Sequence, residues 1–551
     1  MAEQENEKPV SIFSENGLAA TVKELISEIQ DLYLCDQVPW VIGYSGGKDS
    51  SAVLQIVWLA ISKLPEDQRS KQIHVISTDT LVEQPIVSAW VDRSHEKMIA
   101  EAKKQRIPVV THKLTPDVKD TFWVNLIGKG YPKPSTQFRW CTSRMKINPS
   151  NHFIRQVVRE NGEALLVLGT RKAESQRRAR NMRKHEKHRY REKISPNAAL
   201  PNSNVYTPIE DWTNDDVWLF LMQVKNPWGF TNKSLLGMYQ GASADNECPL
   251  VVDTSTPSCG SSRFGCWTCT VVDKDRSMEA MIKNDDEKLW MTPLLRLRNM
   301  LAIVPDAVGS DERSLIGKGP DDDLAKEDVR RIERNRRDFR RLDGRVQLFK
   351  GATIPGPYKK EWRERWLREL LEAQQSIRAN GPKDFEQIEL ISIPELREIR
   401  RIWMYEKREF DDSLPGIFSS AVGVELPIAE SDDQLLGEED WQLLAEICGK
   451  DPVFFQLQTD LLDVEREFHG MTRRAGIYEA IEERLKAAQF KDGDEAFQTR
   501  NEEKDRLEEV LYQIRNDPEI KPISADADSD SNSQRTLFGD DDVDVPVESE
   551  S

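Results

Sequence analysis

The sequence predicts an α/β protein, a parallel sheet with helices on both faces, followed by a cysteine-rich segment and a mostly helical C-terminal domain. Three observations carry this. Short apolar runs of strand length, Val38–Tyr44, Ile73–Thr78, Ile107–His112 and Ala164–Gly169, alternate with segments of helical periodicity that include Ser51–Lys63 and Ile86–Lys104. Such alternation implies parallel strands covered by helices, with a ligand site at the carboxyl ends of the strands. From Ser243 to Asp275 both periods stop and the chain turns rich in Cys, Gly, Ser and Pro, so something other than a large apolar core must hold it. Beyond Met278 Leu, Ile and Trp recur at helical spacing among charged residues, which predicts helices over Lys326–Leu342, Tyr358–Asn380, Ile393–Phe410 and Leu457–Phe490. The domain plan is therefore 1–240 for the α/β part, 241–276 for the cysteine-rich segment, 277–516 for the helical part and 517–551 for an acidic, low-complexity tail of disordered composition.

Composition bounds the function. A chain of 551 residues with 38% hydrophobic and 31% charged residues suits a soluble multidomain protein. It has no run of about 18 apolar residues, and its first residues, MAEQENEKPV, lack the basic start and apolar stretch of a secretory signal. The expectation is a cytoplasmic protein without a membrane partner. The net charge of −18 excludes a uniformly basic coat, but charge is segregated: Arg171–Lys193 holds eleven Lys or Arg against three Glu, and Asp517–Ser551 is acidic. Seven cysteines in such a chain point to metal or redox work rather than a disulfide framework.

The strongest motif is SGGKDS, Ser45–Ser50, set between the first apolar run and a helical segment. Adjacent Gly46 and Gly47 let backbone amides approach phosphate oxygens, the following helix adds partial positive charge, and Lys48 supplies a full one. Asp49 follows Lys48 where a Walker A loop has Ser or Thr, and the GxxxxGK[ST] spacing is absent. A plain strand-to-helix turn, with Ser50 as a cap, is the alternative for a bare SGG.

The hexapeptide resembles the PP-loop of ATP-pyrophosphatases, the adenine nucleotide alpha hydrolase-like fold, which implies cleavage of ATP between the α and β phosphates. Further stretches are similar to the PAPS reductase-like group: VISTDT, ending in Asp79 and Thr80, RWCTSRMK at Arg139–Lys146, GTRKAES at Gly169–Ser175 and PIEDWTNDDVW at Pro208–Trp218. The resemblance implies that Asp79 lies beside the adenosine. Arg139, Lys146 and Arg171 would neutralise phosphate and substrate charge, and Glu174 would orient Arg171 or Mg2+. Surface solvation is the competing role for Arg139 and Lys146. For Asp211–Trp218 the reading is structural: Thr213 and Asp216 form a capping box and the tryptophans pack in the core.

Cys141 lies in the RWCT stretch, and Cys248, Cys259, Cys266 and Cys269 follow, the last three in CGSSRFGCWTC. A CxxC pair brings two thiolates to one centre, and all-sulfur ligation selects zinc or an iron–sulfur cluster, which spacing alone leaves open. Cys35 and Cys448 lie in apolar helical settings and read as core residues.

The order of PP-loop, RWCT, GTRKAES, DWT and the cysteine segment is similar to the DndC family of bacterial DNA phosphorothioation systems. That resemblance implies catalytic roles for Lys48, Asp49, Arg171 and Cys141, and ATP with Mg2+ on the loop. It implies a 4Fe-4S cluster on Cys248, Cys259, Cys266 and Cys269, with Cys141 able to replace Cys248 and the remaining thiol carrying persulfide sulfur. A thiol near the cluster and the cations is expected to favour its thiolate. The implied partners are double-stranded DNA, a cysteine desulfurase as sulfur donor and other phosphorothioation proteins. The basic stretch Arg171–Lys193 would hold the DNA backbone, with a solvated loop as its alternative. PAPS or APS reduction and tRNA thiolation share the N-terminal motifs, although no ECG-type C-terminal cysteine is present. An ATP-sensing iron–sulfur scaffold in a DNA-processing complex is the non-enzyme alternative. QRTLF, Gln534–Phe538, has the form of a sliding-clamp ligand, with chance occurrence in a biased tail as the alternative.

Overall fold

The computed structural model describes residues 10–186, 189, 193–197, 199–242, 264–320, 322–341, 346–349, 352–407, 409, 411–427, 443, 444, 446–449, 451–469, 474, 476–488, 490 and 493–516. They fall into two compact units, one drawn from Met1–Asp338 and Pro355–Glu467, the other from Phe339–Ile354 and Phe468–Ser551. Cys248, Cys259, the end of the basic stretch and Gln534–Phe538 lie outside the described residues.

The first unit is built on a six-stranded sheet in the order β3-β2-β1-β4-β6-β5. Its strands are β1 (Trp40–Gly43), β2 (Ile73–Thr78), β3 (Val109–Leu114), β4 (Ala164–Val167), β5 (Ile194–Pro196) and β6 (Ser203–Tyr206). All pairings are parallel except β5 with β6. The predicted fold class therefore stands. The two strands absent from the sequence reading, β5 and β6, are short and polar, and their ISP and SNVY runs carry too few apolar residues to stand out. Strand order reverses at β1, with β2 on one side and β4 on the other, and the crevice at such a switch point is where α/β sheets bind ligands.

Helices α1 (Gly17–Leu34), α2 (Lys48–Ser62) and α3 (Pro85–Gln105) belong to this layer. Almost every residue of α2 from Ser50 to Ile61 is buried, so its all-round apolar KDSSAVLQIVWLAIS reads as a central helix rather than an amphipathic one. One core joins α1 and α2 to β1, β2 and β4 through Ile29, Trp40, Ile56 and Trp58. No described helix is long and apolar enough to cross a membrane.

A second core belongs jointly to the α/β part and the helical part. Phe122, Trp123, Ile127 and Trp140 pack with Trp290, Leu294, Leu367, Leu370, Ile399 and Trp403. The indole of Trp123 donates to the Leu390 carbonyl at 2.8 Å and that of Trp403 to the Ile127 carbonyl at 3.0 Å. Helices Thr292–Ala302, Lys360–Asn380 and Ile393–Arg401 thus complete the packing around the segment that leads into Cys141.

Several predicted helices end early. Lys326–Leu342 is helical only over Lys326–Asn335, because Arg336 is drawn into the interior, where it pairs with Glu312 at 2.7 Å and covers the Trp362 ring. Ile393–Phe410 is α-helical to Arg401 and then widens to a π turn over Ile402–Glu406. Leu457–Phe490 is two helices, Pro452–Phe468 and Ile477–Ala487, separated by the glycines and basic residues near Gly470 and Gly476. In the second unit, β7 (Leu348–Phe349) and β8 (Ala352–Thr353) pair antiparallel.

Candidate nucleotide and thiol site

The phosphate loop leaves β1 and enters α2 at Lys48, so the amino end of a buried helix faces the switch point. Gly46 has φ +74°, and a Cβ there would lie 2.7 Å from Val91 Cγ2, so both conformation and space demand glycine. Inside the loop, Ser50 Oγ donates to the Gly47 carbonyl at 3.1 Å and accepts from the Ser45 amide at 3.2 Å. The Tyr239 hydroxyl accepts from the Lys48 amide at 3.3 Å.

The loop after β4 meets this one directly. A Cβ on Gly169 would lie 3.0 Å from the backbone C and O of Asp49, so the two loops touch backbone to backbone. Arg171, only 2% exposed, donates Nε to Asp49 Oδ1 at 2.7 Å and Nη1 to the Trp212 carbonyl at 3.1 Å. Asp49 Oδ2 holds Lys48 Nζ at 2.8 Å. Lys48, Asp49 and Arg171 therefore form one charged string at the ends of adjacent strands. Glu174 meets Arg171 through the backbone. Its carboxylate takes the Arg171 backbone amide at 3.1 Å and the Arg178 guanidinium, because the side chain of Arg171 is already claimed by Asp49.

The Asp211–Trp218 stretch is structural, as read. Thr213 Oγ1 accepts from the Asp216 amide at 3.1 Å and Asp216 Oδ2 accepts from the Thr213 amide at 2.8 Å, while Trp212 and Trp218 are buried. Its contribution to the site is the Trp212 carbonyl under Arg171.

Asp79 stands at the end of β2. Its carboxylate accepts from the Leu81 amide at 2.8 Å and pairs with Lys113 at 2.9 Å. Four residues on, Glu83 forms an isolated antiparallel bridge with Cys266, and the Trp267 amide donates to the Val82 carbonyl at 3.0 Å. The short Asp79–Glu83 segment thus runs from the nucleotide end of the sheet to the thiols.

Cys266 and Cys269 occupy one turn, with the Cys269 amide donating to the Cys266 carbonyl at 3.0 Å. Cys141 and Cys266 both pack against the second core. Thr80 Oγ1 is 3.4 Å from Cys266 Sγ, and Glu83 Oε1 accepts from it at 3.8 Å. Lys146 Nζ pairs with Glu83 at 3.2 Å, so this lysine stands with the thiols. Burial opposes the Lys146 charge, but the neighbouring Cys266 sulfur and Glu83 carboxylate win and raise its pKa above the usual lysine range. Burial pushes the Cys141 thiol up and that of Cys266 up to about 12, with Lys146 opposing the shift. Among the described residues no three His, Cys, Asp or Glu side chains converge tightly enough to form a metal site. Cys141, Cys266 and Cys269 are free thiols, and sulfur donors suit a soft, thiolate-bound centre better than a hard cation.

Arg139 is exposed at the start of the Trp140–Thr142 turn. Cys448 is buried as expected, but Cys35 is exposed, because it follows the last turn of α1 and its thiol turns to the Leu32 carbonyl at 3.1 Å. The basic stretch divides in two. Lys172, Arg178 and Arg189 are held by Asp211, Glu174 and Glu210, while Arg180, Arg183 and Lys184 are exposed on the Gln176–Glu186 helix.

With this geometry the comparisons agree. Residues 39–272 match the family described as the phosphoadenosine phosphosulfate reductase domain. The part of the chain similar to that family therefore holds both the phosphate loop and the Cys266–Cys269 turn. It is 26% identical over 271 residues to an uncharacterized protein of Methanocaldococcus jannaschii, a match covering 49% of this chain and 43% of that protein. The chain therefore spans less than half of that relative's length. Among solved structures it is similar to the PAPS reductase of Candida auris in a phosphate complex, at 14% identity over 42% of this chain and 95% of that one, TM-score 0.26. It is also similar to the U34-tRNA thiolase NcsA of Methanococcus maripaludis with its [4Fe-4S] cluster, at 14% identity over 53% and 81%, TM-score 0.25. Overlaps this loose leave the chemistry to the residues themselves.

Proposed function

We propose that this chain is an ATP-pyrophosphatase and sulfurtransferase that adenylylates a DNA backbone phosphate and replaces a non-bridging oxygen by sulfur. The observation that carries it is the joining of two centres: the Lys48–Asp49–Arg171 string at the β1/β4 switch point and the thiols reached through Asp79–Glu83.

ATP binds with its phosphates on the Ser45–Ser50 amides and Lys48. A DNA phosphate oxygen attacks the α phosphorus, the α–β bond breaks, and pyrophosphate leaves while the loop and Lys48 stabilise its charge. Mg2+ would neutralise phosphate charge, and because Asp49 is engaged by Lys48 and Arg171, the ion would rest largely on phosphates and water. A cysteine desulfurase partner delivers sulfur as a cysteine persulfide, whose terminal sulfur attacks the activated phosphorus as AMP leaves with the former phosphate oxygen. A second thiol then attacks the S–S bond, releasing the phosphorothioate and leaving a disulfide that a thiol reductant returns to the dithiol. Cys259, Cys266 and Cys269, with Cys248 or Cys141 as the fourth ligand, would hold an iron–sulfur cluster, whose chemistry when bound is to accept and present sulfur. Arg180, Arg183 and Lys184 give the site an exposed cationic approach suited to a polyanion. The other phosphorothioation proteins would supply the DNA sequence choice, and Gln534–Phe538 a sliding-clamp tether.

The test is incorporation of labelled sulfur from cysteine, with a cysteine desulfurase and ATP, offered duplex DNA, tRNA or a sulfonucleotide. ATP-dependent label in DNA supports the reading. Label in tRNA, or reduction of the sulfonucleotide, replaces it with the thiolase or reductase alternative, and no turnover on any substrate favours the ATP-sensing scaffold.

A further inference from the structure

The turn carrying Cys266 and Cys269 is held by a residue outside every motif. Arg298, on the Thr292–Ala302 helix, is 0% exposed. Its guanidinium donates Nε to the Cys269 carbonyl at 3.1 Å, Nη1 to the Asp273 carbonyl at 2.9 Å and Nη2 to the Val272 carbonyl. Nη1 also reaches Asn299 Oδ1 at 3.0 Å. All its hydrogen-bond partners are thus neutral oxygens.

A buried guanidinium is costly unless its charge is balanced and its donors are used. Here the fork gathers the carbonyls of Cys269, Val272 and Asp273 and so places a buried positive charge against the backbone of the chain that leaves the thiol turn. The rest of the turn is pinned separately: Thr270 Oγ1 donates to the Pro134 carbonyl at 2.7 Å, and Trp267 packs 5.7 Å from Trp123. Lys146 brings charge to the Cys266 side through Glu83, and Arg298 brings it to the Cys269 side through the backbone.

We propose that Arg298 is the positioning residue of the thiol centre: it fixes the chain after Cys269 and supplies the positive charge that balances thiolates around a soft metal. This rests on the reading of the cysteines as a metal or cluster site. A cation at this place stabilises the bound, anionic thiolates and makes a redox-active centre easier to reduce.

The experiment is anaerobic reconstitution of the full chain with iron and sulfide, reading iron per chain, visible absorbance and reduction potential for wild type, R298K, R298M and R296A. Arg296 lies on the same helix, exposed and paired with Glu369. The expected result is at least a fivefold loss of bound iron in R298M and a twofold or greater loss in R298K, which keeps the charge but not the fork. R296A should match wild type. Any centre that R298M retains should have a more negative potential. If R298M does not fold, R298K decides by the same iron measurement at unchanged melting temperature. Wild-type iron content and potential in both Arg298 variants would overturn the assignment of Arg298 alone. A wild type that takes up no iron would instead overturn the cluster reading, and this proposal with it.

Discussion

Arg171 reaches from the loop after β4 to Asp49 in the phosphate loop, Nε to Oδ1 at 2.7 Å, with almost none of its own surface exposed. Through Asp49 it is linked to Lys48, so a buried cation fixes the carboxylate that holds the loop lysine. In R171A, Asp49 loses its buried partner and the Trp212 carbonyl loses its donor. Breaking a buried pair from one side costs about 3 kcal/mol, which urea denaturation should register, whereas R171K should recover part of it. Pyrophosphate release should fall in both.

Lys48 is the reverse case. Its side chain is 13% exposed and, among the described residues, its ion pair is with its chain neighbour Asp49, which Arg171 also holds, so K48M should leave urea stability near wild type. Pyrophosphate release should drop roughly 100- to 1,000-fold, the usual range for losing one group that stabilises developing charge. A variant that keeps full turnover would remove Lys48 from the machinery.

Gly169 is set by space rather than by backbone angle. Its added Cβ would press on the Asp49 backbone at 3.0 Å, and neither loop can yield without moving the phosphate amides. G169A should therefore lose about 1–3 kcal/mol and lower pyrophosphate release at least tenfold, measured on protein shown to be folded by circular dichroism.

His95 gives the protein a pH signature. Burial, aided by Lys113 and His112, holds its pKa down to about 4, and its Nε2 lies 2.8 Å from Ser77 Oγ beneath β2. The unfolded chain takes up this proton near the ordinary histidine value of about 6.5 while the folded chain resists it. Stability is thus full above that value and is lost as pH falls toward 4, by up to about 1.4 kcal/mol per pH unit for this group. Urea midpoints at pH 7 and pH 5 should fall further in wild type than in H95Q.

Much of this was legible in the sequence, and for physical reasons. SGGKDS announces itself because phosphate binding demands glycines and a lysine next to a helix start, and the apolar strands beside it are long enough to see. The thiol gathering was only half legible. CxxC gives a local pair, but the approach of Cys141, Lys146 and Glu83 depends on tertiary packing that no spacing encodes. Arg298 was invisible, since an arginine in LLRLRNML looks like a surface residue of an amphipathic helix. The widened turns at Val124–Gly128 and Ile402–Glu406 were likewise hidden in ordinary helical patterns. Cys35 misled because apolar neighbours in sequence do not decide which side of a helix end faces the core.

The central claim is cleavage of ATP at the α–β bond on behalf of DNA, and the most direct measurement is product analysis of ATP turnover with and without duplex DNA. The account expects AMP and pyrophosphate, increased by duplex DNA and abolished in K48M. ADP and inorganic phosphate, or pyrophosphate formation indifferent to DNA, would contradict it.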